Sequence, residues 1–329
     1  MKDLNNDFSN EDEFIELKTN SNIIDTLKTN HSSNYAGYNW YQKFSSSSVK
    51  SFDYQRNNNT ELLCKNEFLD QISKKTSLIN WVDIENEYYY ALLECLNNKR
   101  REGIENLNNE FLKIQNKLEE YLSMRIQKLN GPSLRIQKIF HSIFELINYD
   151  KEKTKNGHYT VTFLNFNYTN TLSLYKEFLD QSNQDIRIIN IHGELNNHDN
   201  PIIFGYGDEL DENYRNIEAA NDNRFLKNIK TTKYMESNNY QKMLAFIKAD
   251  KYHLFNIGLS CGNSDGTLLH TIFENVNCTR ITNFYHINED GTDNYSDLIM
   301  NISRSFSDKS LMREIIANKL DCEPINPIA

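Results

Sequence analysis

Tyr159-Thr160-Val161-Thr162-Phe163-Leu164 runs directly into Asn165-Phe166-Asn167-Tyr168-Thr169-Asn170, and this junction decides the fold. The first six residues are β-branched, aromatic or aliphatic and read as a buried strand, while Thr171-Leu172-Ser173-Leu174-Tyr175 opens a helical pattern. Asn165, Asn167 and Thr169 are thereby placed in a strand-to-helix turn. In an open α/β sheet such turns lie at the carboxyl ends of the strands, where ligands bind and free amides at a helix start can meet an anion. The arrangement recurs twice downstream. Arg187-Ile188-Ile189-Asn190-Ile191-His192-Gly193 is a strand ending in His-Gly, and Tyr252-His253-Leu254-Phe255-Asn256-Ile257-Gly258-Leu259-Ser260 is a strand ending in Gly-x-Ser. The three strand ends are expected to converge on one pocket.

Working outward, Pro201–Gly207 and Arg280–His286 read as further strands, and helical patterns fall near Tyr240–Ala249, Thr267–Glu274, Asp297–Phe306 and Leu311–Leu320. Strands alternating with helices define an α/β class with a mainly parallel, Rossmann-like sheet. Upstream the pattern is helical. Leu62, Leu63, Phe68, Leu69 and Ile72 suggest one helix and Trp81–Leu93 a second. Ile104, Leu107, Phe111, Ile114, Leu118, Tyr121 and Ile126 recur at spacings of three and four, and Asn130-Gly131-Pro132 stops that helix. Leu134–Ile147 forms the next, and within the second the Tyr88-Tyr89-Tyr90 run reads as helix packing. The expected organisation is an irregular N-terminal segment over 1–60, a helical region over 61–149 and an α/β region over 150–329, together one composite domain.

The 329 residues suffice for a substantial core, with Tyr and Phe supplying much of it at 12% aromatic content. A net charge of -10 provides no basic footprint for nucleic acid. Cys64, Cys95, Cys261, Cys278 and Cys322 include no C-x-x-C pair, which fits a reducing compartment and argues against a thiolate zinc site. No signal-peptide pattern opens the chain, and no apolar run reaches the ~20 residues that span a bilayer. A cytoplasmic location away from membranes is expected.

The chemistry-bearing candidates lie at the strand ends. A carboxamide such as Asn165 or Asn167 can donate and accept at once, which suits a ribose hydroxyl or an ordered water; the same side chains also serve turns and caps. His192 could act as a general base or hold a sugar hydroxyl, and Gly193 allows a ligand or another backbone to approach. Glu194, His198 and Asp199 fit no standard metal-ligand spacing. Gly258-Leu259-Ser260-Cys261-Gly262 matches G-x-S-x-G, with His286 as a possible base and Asp265, Asp290 or Asp293 as the acid positions on offer. The alternative has Gly258 and Gly262 bringing a phosphate close to the backbone while Ser264 or Asp265 caps the following helix. The acidic run Asp208, Glu209, Asp211 and Glu212 is a solvated loop or a lid.

Together these motifs resemble the AbiH family of bacteriophage abortive-infection proteins. The resemblance is carried by Trp81-Val82-Asp83-Ile84-Glu85, Asn165-Phe166-Asn167-Tyr168-Thr169, Ile191-His192-Gly193, Ile203-Phe204-Gly205-Tyr206-Gly207-Asp208 and Ile257-Gly258-Leu259-Ser260, over about Trp81 to His286. It implies an antiphage protein that harms or arrests the infected cell, with a phage-derived trigger as partner. A second resemblance is to sirtuin-like domains, whose N-x-D, H-G and G-x-S elements follow the same order. It implies NAD as substrate or ligand, with Asn167 holding the ribose or its attacking water, His192 as base and Ser260 at the nucleotide. Thr169 stands where the sirtuin pattern has an acid. The G-N-G-F-D turn with which AbiH members usually begin has no counterpart before Trp81, so the chain either starts late or has lost that strand, which would remove a phosphate-binding loop and with it a nucleotide contact. Two other readings stay open: a serine hydrolase built on Ser260 and His286, and a non-enzymatic protein whose segment from Glu61 to Tyr149 senses phage, binds a partner or self-assembles.

Overall fold

The structure, a computed structural model, describes residues 15–19, 60–64, 66–75, 81–98, 103–129, 131–153, 159–182 and 184–326. The expected irregular segment over 1–60 falls outside them except for Ile15–Thr19 and Thr60. The chain divides into two compact units, Met1–Tyr121 and Leu122–Ala329.

In the first unit β1 (Ile15–Thr19) pairs antiparallel with β2 (Thr60–Cys64), from Ile15 opposite Cys64 to Thr19 opposite Thr60. Then come α1 (Glu67–Lys75), α2 (Trp81–Asn97) and α3 (Gly103–Ile126), whose residues from Leu122 onward belong to the second unit. The single helix expected from Leu62 to Ile72 is corrected: Leu62 and Leu63 belong to β2, and the helix begins at Glu67. Local and distant groups set that start. Asn66 Oδ1 accepts the Leu69 amide at 2.8 Å, while the Glu110 carboxylate accepts the Glu67 and Phe68 amides at 3.0 Å each. Three of the donors that a helix start leaves unpaired are thereby satisfied. Tyr88 and Tyr89 are buried and Tyr90 is exposed, so the tyrosine run packs its helix. Tyr88 stacks on Phe111, and its hydroxyl bonds Asn108.

In the second unit α4 (Leu134–Lys153) leads to β3 (Thr160–Asn165), a 3-10 turn over Thr171–Tyr175, α5 (Lys176–Asp180) and β4 (Asp185–Asn190). After a long connection containing α6 (Tyr214–Ala219) and α7 (Lys230–Lys233) come α8 (Asn239–Ala249), β5 (Tyr252–Ile257), α9 (Gly266–Phe273), β6 (Cys278–Phe284), α10 (Tyr295–Arg304) and α11 (Lys309–Ile315). β3 pairs parallel with β4, and β5 parallel with β6. The α/β class and the parallel direction agree with the sequence. A continuous Rossmann-like sheet does not form among the described residues, where these strands pair two by two.

Successive side chains of a strand point to opposite faces, so each pair feeds two cores. Val161, Phe163, Phe255 and Ile257 pack against Ile139, Phe140 and Phe144 of α4. Leu164 and Leu254 pack with Ile189 and Ile281 against Leu268, Ile272 and Ile302 of α9 and α10. Helices thus cover both faces, as parallel strands require.

The strand expected over Pro201–Gly207 does not form. Only Tyr206 makes a bridge, parallel to Ile229, with its amide donating to the Asn228 carbonyl at 3.3 Å; at Gly205 that carbonyl oxygen comes within 2.0 Å of the place a Cβ would occupy. No helix among the described residues is long and apolar enough to cross a membrane.

Candidate functional site

The turn after β3 is held by its own amides. Asn165 is buried; its Oδ1 accepts the Asn167 amide at 3.0 Å, and its Nδ2 donates to the Thr169 carbonyl at 3.1 Å and to Asn190 Oδ1 at 2.9 Å. Both ends of this carboxamide are engaged in shaping the turn. Asn167, by contrast, is exposed on the turn's surface.

Directly after β4, the chain turns through Ile191 and His192. Gly193 has φ 77°, and a Cβ there would meet the Pro201 carbonyl oxygen at 2.0 Å, so only glycine lets the loop double back. His192 is 3% exposed. Its Nδ1 lies 3.0 Å from the Phe166 carbonyl, and its Nε2 lies 3.1 Å from both the Tyr234 hydroxyl and Asp265 Oδ1. Nδ1 must carry a proton to bond the carbonyl. A second proton on Nε2 satisfies Asp265, whereas a bare Nε2 accepts from the Tyr234 hydroxyl.

Asp265 comes from the turn after β5, so the three strand ends meet at one imidazole: Phe166, His192 and Asp265. The carboxylate also receives Lys230 Nζ at 2.8 Å, and Lys230 is 1% exposed. Burial opposes charge on Asp265, but the Lys230 and His192 charges and their hydrogen bonds outweigh it and hold the carboxyl well below the usual carboxylate range. The expectation that Asp265 or Ser264 caps the helix through its side chain is corrected. Asp265 is the N-cap residue of α9 and makes no side-chain cap, because its carboxylate is turned to Lys230 and His192. The Thr267 amide is instead taken by the Gly207 carbonyl at 3.0 Å. The start of α9 is therefore engaged by the 207–209 loop.

Gly258 has φ 78° and is exposed, as is Ser260, whose carbonyl accepts Asn301 Nδ2 at 2.9 Å. In a nucleophile elbow the strained residue is the serine itself. Here the left-handed residue is Cys261, with φ 55°, buried with a thiol that burial and then the Asp265 charge push up to about 12. His286 is exposed, its backbone amide bonded to Asn294 Oδ1, and no hydrogen bond joins it to Ser260. Thr169 is half-buried and lines a shallow cavity of about 280 Å³ with Leu122, Arg125, Ile126 and Lys128. That cavity does not include His192 or Asp265 in its lining.

Lys230 and Tyr234 were invisible as site residues in the sequence. Lys227, Lys230 and Lys233 recur every third residue, a spacing that reads as a solvated helix face. Nothing local marks the middle lysine as buried.

A helix-covered parallel α/β unit, with a buried imidazole, carboxylate and ammonium linked at the carboxyl ends of its strands, defines the class: an α/β protein with a strand-end polar centre. Within that class the chain belongs to the AbiH family, whose model, described as bacteriophage abortive infection AbiH, matches residues 25–286. The match contains every residue of the polar centre, and membership points to a role in abortive-infection defence against phage. No curated protein and no solved structure matches the chain.

Proposed function

We propose that this chain is an abortive-infection effector that hydrolyses the glycosidic bond of a dinucleotide of the NAD class, with His192 as its proton-handling group. The observation that carries the reading is the 3.1 Å approach of His192 Nε2 to Asp265 Oδ1 where three strand ends meet. An imidazole seated on an ionised carboxylate can take and hold a proton while a reaction passes through a charged state. The order of Asn167-Tyr168-Thr169, His192-Gly193 and Gly258-Leu259-Ser260, which follows the N-x-D, H-G and G-x-S order of sirtuin-like domains, supports the choice of dinucleotide. In the reaction, the oxygen of water bonds to C1′ of the ribose and the bond from C1′ to the nicotinamide nitrogen breaks. The electron pair leaves with neutral nicotinamide, and the water's proton passes to the bare Nε2 of the neutral, Nδ1-protonated imidazole, giving the imidazolium that Asp265 holds, and then to solvent. Asn167, exposed beside the site, meets the ribose hydroxyls. Substrate entry displaces the Tyr234 side chain, whose hydroxyl covers Nε2.

Purified full-length chain is incubated with NAD, with and without lysate of phage-infected cells, and nicotinamide and ADP-ribose are separated chromatographically. Equimolar release that disappears in His192→Ala is the expected result. Intact NAD in all arms, from a protein that still protects cells against phage, would overturn the reading.

A further inference from the structure

We infer that Lys230 is a positioning residue for the His192–Asp265 pair, and that the Gly205-Tyr206-Gly207-Asp208 stretch is the cradle that delivers it. The inference rests on the proposed use of His192 and adds two elements that the reading itself leaves without a role: a buried lysine and a glycine-rich motif from the connection between β4 and α8.

Lys230 lies 35 residues before Asp265 in the chain, on a four-residue helix with no side-chain cap at its start. Its place is fixed from the cradle. The Lys230 amide donates to the Tyr206 carbonyl at 2.8 Å, and the Tyr206 amide donates to the Asn228 carbonyl at 3.3 Å, so the segment carrying Lys230 is laced to Tyr206 from both sides. Each neighbouring glycine makes room for that lacing. At Gly205 a Cβ would stand 2.0 Å from the Asn228 carbonyl oxygen. At Gly207 it would stand 3.0 Å from Lys230 Cβ, 3.3 Å from Lys230 Cδ and 2.8 Å from the Ser264 carbonyl oxygen. The lysine stem therefore passes directly over Gly207 on its way to Asp265. The opposite wall closes in the same manner: a Cβ on Gly266 would meet Asp208 Cγ at 2.8 Å.

The ammonium bonds Asp265 Oδ1, the same oxygen that faces His192 Nε2. Fixing that oxygen with a second donor restrains the carboxylate's orientation toward the imidazole. Without the lysine, a carboxylate held only by the histidine is free to rotate, and misplacement of about 1 Å is enough to lose about a hundredfold in rate.

The test uses the full chain with Lys230→Met, which keeps the stem and removes the charge, and Gly207→Ala, which leaves every ionisable group in place and crowds both the lysine stem and the Ser264 carbonyl beside Asp265. Ring nitrogen NMR signals of His192 are recorded at one neutral pH, alongside nicotinamide release and gel filtration. Lys230→Met is expected to move the His192 ring signals and to lower kcat about a hundredfold with KM nearly unchanged. In an Asp265→Asn background the same substitution should change kcat less than about twofold, because the lysine acts through that carboxylate. Gly207→Ala should move the ring signals in the same direction by a smaller amount, and it decides the matter if Lys230→Met does not fold. Unmoved ring signals in a folded variant, or losses that add in the double variant, would overturn the inference. Absence of nicotinamide release from the wild type defeats the proposed reaction alone, since the ring signals still report whether Lys230 positions the pair.

Discussion

Asn165 and Asn190 occupy the same register of the β3–β4 ladder, and the side-chain amide of the first donates to the side-chain carbonyl of the second at 2.9 Å. The other parallel pair repeats the device. Asn256 lies opposite Asn283 and donates to its Oδ1 at 3.1 Å, and each leading asparagine also holds the turn that follows its strand, through Thr169 or Leu259. Two strand pairs are thus fastened in the same way. The second fastening is incomplete, because Asn256 Oδ1 and Asn283 Nδ2 are buried with no hydrogen-bond partner.

That difference sets a comparison. Asn165→Ala removes two donated bonds and one accepted bond and should cost about 3 kcal/mol, while Asn256→Leu should cost about 1–2 kcal/mol. Replacing both Asn256 and Asn283 by Leu should cost less than the sum of the single changes, since it also removes two unpaired polar atoms. Urea denaturation of the four variants measures this; strictly additive losses for the 256/283 pair would show that the unpaired atoms carry no penalty.

The depressed Asp265 carboxyl has an acid-side signature. Its folded value lies below the unfolded value of about 4, so its contribution to stability is complete above about pH 4 and is lost as the pH falls from there through the folded value. Asp265→Asn leaves Lys230 buried without its carboxylate and should be less stable than wild type by about 3 kcal/mol at neutral pH. The gap should narrow below about pH 4. Denaturation midpoints followed from neutral to acid pH check both points, and a gap that stays constant into acid would contradict the ion pairing.

Gly193 and Gly291 share a left-handed backbone, with φ 77° and 81°, but not surroundings. A Cβ on Gly193 collides with the Pro201 carbonyl, whereas one on Gly291 finds nothing within 4 Å. Gly291→Ala should cost only the left-handed strain, about 1–2 kcal/mol, and leave activity intact. Gly193→Ala should cost more than about 3 kcal/mol and displace His192 with its loop. Thermal unfolding of the pair tests the contrast, and equal losses in Tm would refute it.

Much of this molecule was legible one residue at a time. Apolar runs located β3, β4, β5 and β6, and the 3.6-residue period located α3, α4, α8, α9 and α10, because those patterns follow from which face of each element is buried. The same reading brought out Asn165, His192 and Asp265, since strand-to-helix turns place polar side chains at the carboxyl ends of parallel strands.

Tertiary structure decided what these groups do. Asn165 and Asp265 could each have held a local amide; Asn165 does so while also donating to a cross-strand partner 25 residues away, and Asp265 is turned instead to a buried ammonium 35 residues away. The start of α1 was likewise set by Glu110, 43 residues downstream of Glu67. Lys230 carried no local mark at all. Hydrogen bonds within a turn depend on neighbouring residue types and can be read from sequence, whereas the partner of a buried charge is selected by where the folded backbone brings a second charge.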